Sequence, residues 1–230
     1  FVKRIFWIVS FCLTVFAASA QNLPMADYKR FHFGFTLGTS IFDFGIKPSL
    51  MEIEGKVYKA DVTRLMPGFT VGAIADLRMG EYFNLRFVPS LYLADRTISY
   101  SNNVDDEIIS TSIKSTSITI PLYVKYSSVR INNYRPYILA GGGIAFDLAR
   151  DKQMPVLLKP GDYFVEFGAG CTIYFSFFRF SPEIRFALGF NNILTPLEER
   201  ENYLDPENYK YTQALSKLTS RMFTIAFNFE

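Results

Sequence analysis

Hydrophobic and polar residues alternate one for one along most of this chain. Phe31, Phe33, Phe35 and Leu37 are separated by His32, Gly34 and Thr36, and Phe69, Val71, Ala73, Ala75 and Leu77 by Thr70, Gly72, Ile74 and Asp76. The same period recurs from Phe83 to Leu93, from Ile118 to Tyr126, from Val165 to Phe175, from Pro182 to Phe190 and from Phe223 to Phe229, and more loosely from Tyr134 to Asp147 around Gly141-Gly142-Gly143. A period of two marks strands that bury one face. Eight such segments predict an all-β, eight-stranded antiparallel sheet.

The connections sharpen this into a topology. Met79-Gly80-Glu81, Asn132-Asn133 and the Phe178–Ser181 corner read as tight turns, while roughly 47–66, 101–111, 150–161 and 191–218 read as long links. Short and long alternate strictly, so in a closed up-and-down barrel every short turn falls on one rim and every long loop on the other. That is the layout of a transmembrane barrel with short periplasmic turns and long extracellular loops. The alternative is a soluble barrel of the lipocalin kind, with its apolar face inward.

The identity of the two faces separates these readings. An eight-stranded barrel has an interior just wide enough for side chains, and here the bulky residues share one face while Gly, Ser, Thr and Ala share the other. Asp76, Arg86, Lys125, Glu166, Glu183 and Arg185 all fall on the small-residue face. A Lys or Arg facing lipid at mid-depth costs about 2–4 kcal/mol, so this phase keeps charge out of hydrocarbon and lets it pair inside. Phe31, Tyr82, Tyr126, Tyr134, Phe175, Phe178 and Phe229 gather toward the short-turn rim, with Tyr100 and Phe146 toward the other, as interfacial girdles do. Closure itself satisfies every backbone group in hydrocarbon.

Composition agrees once the leader is set aside. The 230 residues are 49% hydrophobic and 17% aromatic, and aromatics favour strands. Lys3 and Arg4 precede an apolar run, Ile5 to Ala18, ending in Ala18-Ser19-Ala20, the order of a secretory signal peptide over residues 1–20. Residues 21–230 then form the barrel domain. Without Lys3 and Arg4 the 24 basic residues become 22, equal to the 22 acidic ones, so the formal +2 vanishes and nothing favours a nucleic-acid partner. Cys171 is left alone, excluding an internal disulfide. The expected location is the outer membrane, with its lipids as the first partner.

Catalytic motifs are sparse. His32 is the single histidine, and no GxSxG or HExxH stands in the chain. No metal, cofactor or small-molecule substrate is expected, nor an enzyme, although a lipid A hydrolase using His32 is the reading that would require one. The inward charges read as an ion-pair network plugging a narrow barrel, or more sharply as a proton or ion path. Met154, Pro155, Val156, Leu157 and Leu158 form an apolar stretch in a charged loop, and Tyr203, Tyr209 and Tyr211 punctuate the last loop. Both are candidate partner contacts, or else pack on neighbouring loops. Thr195-Pro196-Leu197-Glu198 and Asp205-Pro206 offer helix starts, the second ahead of 213–217, and Met51–Glu54 with Val57–Val62 a hairpin.

The stretch Phe31-His32-Phe33-Gly34-Phe35-Thr36-Leu37-Gly38, its continuation Phe42-Asp43-Phe44-Gly45-Ile46, and Ile120-Pro121-Leu122 resemble the PorT proteins of Bacteroidetes. The resemblance extends over residues 21–230. It implies an accessory or assembly component of the type IX secretion system, whose other proteins would be its partners, and brings no catalytic residues. A general adhesion or envelope-stability barrel of the OmpX or OmpA kind is the alternative.

Overall fold

A computed structural model describes residues 22–23, 25–49, 52–53, 56–102, 108–148, 157–195 and 215–230. The expected leader, Met154 to Val156, Tyr203, Tyr209, Tyr211 and the helix starts beyond Thr195 lie outside them.

The strands are β1 (Phe31–Pro48), β2 (Glu52–Ile53), β3 (Lys56–Leu65), β4 (Pro67–Arg78), β5 (Phe83–Phe87), β6 (Ser90–Asn102), β7 (Ile108–Ser127), β8 (Tyr134–Asp147), β9 (Gly161–Tyr174), β10 (Arg179–Gly189) and β11 (Leu215–Phe229). They make one antiparallel ring of eight staves, because β3 runs on into β4 and β5 into β6, interrupted at Met66 and at Val88-Pro89. The ring closes where β1 pairs with β4, from Phe31 opposite Leu77 to Ile41 opposite Pro67. Pro67 has no N–H to carry that ladder further, and above it β1 pairs only with β11.

Strand length is the main departure from expectation. β6 runs to Asn102, β7 starts at Ile108, and β11 starts at Leu215, so the links expected over 101–111 and 191–218 are shorter. Leu215 to Lys217 are strand rather than the end of a helix. Ile108, Ile109, Thr111 and Ile113 are β-branched and suit a strand, but the serines among them weaken the hydrophobic contrast on which the period-two reading rests. The hairpin expected in the first loop is a two-residue pairing, Glu52 with Val57 and Ile53 with Lys56; the main partner of β3 is β6.

Outward and inward faces follow the alternation. Phe33 is 71% exposed and Leu122 49%, whereas Thr36 and Thr224 are fully buried. Phe31, Phe83, Ile118, Ile138, Phe167, Ile184 and Phe227 lie on the exposed face. Near the short-turn rim the outward rings join: Phe35 stacks on Phe229 at 5.0 Å, Phe175 on Phe178 at 5.1 Å and Phe180 on Phe227 at 6.0 Å. The turns on that rim use ordinary chemistry. Asn132 takes a left-handed backbone with φ 53, which asparagine tolerates, and Phe175 N–H donates to Phe178 O.

Glycine makes room inside. A Cβ on Gly141 would stand 2.1 Å from Leu122 O and 2.8 Å from Tyr123 Cα. The Gly141–Gly143 run is thus a close approach of β8 to β7, beside the inward ring of Tyr123.

Candidate functional site

The barrel interior is layered. Toward the short-turn rim it is filled by charge, and toward the long-loop end by an apolar cluster of Phe42, Tyr92, Phe164, Ala187 and Met222. Between them pack Ile74, Val88, Tyr123, Tyr137 and Leu139.

The charged layer arises from register. Asp76 on β4 stands directly opposite Arg86 on β5, and the Arg86 Nε donates to Asp76 Oδ2 at 2.8 Å. The same guanidinium reaches Glu183 Oε2 on β10 at 3.4 Å and the Glu230 carboxylate just past β11. Asn84 also donates to Asp76, and Lys125 Nζ lies 3.9 Å from it. Arg179 pairs with Glu230 at 2.5 Å. Glu183 links this group to a second one, since Arg185 Nε lies 3.3 Å from Glu183 Oε1 and 3.6 Å from Glu166 Oε1.

Tyrosines and an asparagine complete the layer. Tyr137 donates to Glu183 Oε2 at 2.6 Å, Tyr123 to Glu166 Oε2 at 2.7 Å, and Asn228 to Glu183 at 3.2 Å. Lys125 Nζ sits 4.2 Å above the Tyr137 ring, a cation–π contact. Gly170 permits this, because a Cβ there would meet Tyr137 Oη at 2.6 Å.

Charge balances within the layer. Arg86, Lys125, Arg179 and Arg185 face Asp76, Glu166, Glu183 and Glu230, and each of these side chains is at most about a tenth exposed. Isolated charges in such surroundings cost several kcal/mol each, so the arrangement persists through mutual pairing. Each carboxylate pairs with at least one cation, and Tyr123, Tyr137 and Asn228 add hydrogen bonds to the same carboxylates.

The six inward charges singled out from the sequence, Asp76, Arg86, Lys125, Glu166, Glu183 and Arg185, therefore meet in one layer. Arg179 and Glu230 were missed. Arg179 lies in the corner expected at Phe178–Ser181 and Glu230 follows the last alternating segment, yet their backbones pair with each other, N–H to C=O at 2.8 and 3.0 Å. Counting by two from Glu183 to Arg179, and from Asn228 to Glu230, finds both. His32 stands opposite Asp76 in the β1–β4 ladder, a carboxylate neighbour that the sequence did not reveal.

The short-turn mouth is covered by residues that precede β1. Asn22 N–H donates to Asn133 Oδ1 at 2.8 Å, and the Asn22 amide to Tyr174 O at 3.0 Å. Asp27, in a single 3-10 turn (Ala26–Tyr28), accepts from Tyr174 Oη at 2.5 Å and pairs with Arg135 at 3.3 Å and Arg130 at 3.5 Å. Arg130 also stacks over the Tyr174 ring at 3.7 Å. These contacts hold the segment across the mouth as a strap.

At the other end Leu157 and Leu158 turn inward. They are 7% and 6% exposed, so neither offers the solvent-facing partner contact considered from the sequence. Burial of apolar area favours the inward position, and Leu158 forms a bridge with Leu194.

A family match agrees with this architecture. Residues 19–195 match the family described as outer membrane protein beta-barrel domain. Among solved structures, Neisserial surface protein A (NspA) has 10% identity and a TM-score of 0.44, covering 87% of this chain and 98% of its own. The outer membrane protein OprG from Pseudomonas aeruginosa has 9% identity and a TM-score of 0.49, covering 92% and 97%. No curated protein matches by sequence. The chain belongs to the outer membrane protein beta-barrel domain family, and its place is the outer membrane.

Proposed function

We propose that this outer-membrane barrel is a non-enzymatic accessory or assembly component of the type IX secretion system, working through contacts with other envelope proteins. The observation that carries the reading is the balanced layer of eight buried charges across the lumen. A barrel of eight staves filled in this way leaves no room for a polypeptide, so its contribution lies on its loops, rims and outer wall. The resemblance of Phe31–Ile46 and Ile120–Leu122 to the PorT proteins supplies the system. Deleting the gene should abolish surface export of cargo carrying a C-terminal signal domain, with restoration by the full chain. Unchanged export would refute the proposal.

A second reading, an adhesion or envelope-stability barrel of the OmpX or OmpA kind, draws on strand length. β7 has 20 residues, about twice the 9–11 that cross a bilayer, so the β6–β7 hairpin stands well outside the membrane. On that reading, exchanging residues 191–218 alters attachment to surfaces and leaves secretion intact.

A further inference from the structure

The long-loop end of the barrel holds a chamber that the secretion proposal does not use. Its floor is Phe42, Phe164, Ala187 and Met222, and its roof is Leu158 and Ile193. The roof is a small sheet made by two external segments: Lys159 N–H donates to Ile193 O at 2.7 Å, Thr195 N–H to Leu157 O at 3.0 Å, and Ile193 N–H to Leu218 O at 2.9 Å. Beneath it the volume is about 60 Å³, partly open, because Ser117, Thr119, Ala145 and Ala187 present small side chains to a layer that larger ones would fill. Asp147, Lys159 and Asp162 stand among the lining residues, so the chamber is apolar with a charged margin.

We propose that this chamber binds the short apolar end of a small amphiphile, whose polar head stays beside Asp147, Lys159 and Asp162. The size of the tail follows from the volume. A cavity of about 150 Å³ holds benzene, so this one accommodates roughly two to three carbons by the same measure. It is separated from the ion-pair layer by the ring of Tyr92, and it is independent of which envelope system the barrel serves.

The test is methyl NMR of the full barrel in lipid nanodiscs, titrated with n-alkanols from ethanol to octanol. Met222 and Ile193 report on the chamber, and the outward-facing Ile120 and Ile144 report on partitioning into lipid. The expected result is saturable shifts at Met222 and Ile193, with affinity rising about fourfold per methylene up to about propanol or butanol and then levelling. Ala187→Leu, and separately Ala145→Val, should abolish those shifts while the barrel still migrates faster unboiled than boiled on detergent gels. Two outcomes overturn the proposal. One is the absence of saturation at Met222 and Ile193; the other is shifts that track Ile120 and Ile144 and survive whichever filling variant folds.

Discussion

Asp76 and Arg86 face each other across one rung of the β4–β5 ladder, joined at 2.8 Å with both side chains about 1% exposed. Arg86 also holds Glu183 and Glu230, which makes it a cation shared by three carboxylates. Arg86→Met should therefore destabilise the barrel by about 3–5 kcal/mol, read as a shift in the urea midpoint of refolding into detergent. Removing Asp76 as well restores the charge balance, so Arg86→Met with Asp76→Leu should recover part of that loss. A double variant no more stable than the single would show that balance is not what holds the layer.

Gly170 allows the Tyr137 hydroxyl to reach Glu183. A methyl at position 170 overlaps Tyr137 Oη and Cζ at 2.6 and 2.7 Å, so Gly170→Ala should cost about 1–3 kcal/mol in the same refolding assay. Ala169→Gly, on the outward face of the adjacent rung, serves as the comparison and should change far less.

Purified barrel in planar bilayers should show no steady ohmic conductance, because the charge layer and the tyrosines beside it occupy the lumen. Stepwise, voltage-independent currents of uniform size from wild-type protein would contradict this packing.

Asp27 ties the N-terminal strap to Arg130, Arg135 and Tyr174. Asp27→Ala should release residues 22–28 to limited proteolysis while leaving heat-modifiable migration of the barrel intact. Equal protection of wild type and variant would show that Asn22 and Arg130 hold the strap without it.

Much of this was legible in the sequence, for a physical reason. Where a strand crosses between apolar surroundings and a crowded lumen, neighbouring residues face opposite demands, and Phe33 against Thr36, or Leu122 against Tyr123, writes those demands at period two. Outside the belt that contrast disappears. The alternation of 56–65 and 108–116 therefore lacks the contrast of bulky against small residues, and Val57–Val62 reads as one arm of a local hairpin although its main partner is β6. The partners within the charge layer were hidden for a different reason: Glu183 meeting Arg86 joins residues 97 positions apart across the lumen, a contact set by curvature and closure of the ring rather than by any local pattern. Arg179 and Glu230 lay within reach of the same counting rule, but their neighbouring turn and tail masked them. The inward fold of Leu157 and Leu158 depends on Ile193 and Leu194, about 35 residues further along, and no spacing rule connects them.

The central claim is which face of each strand meets lipid, and nitroxide scanning of β7 tests it most directly. Labels placed singly from Ile118 to Tyr126 in reconstituted vesicles should show high oxygen accessibility at Ile118, Ile120, Leu122 and Val124 and low accessibility at Thr119, Pro121, Tyr123 and Lys125. The inverse pattern, or a flat profile with every label accessible to a water-soluble relaxant, would contradict the account.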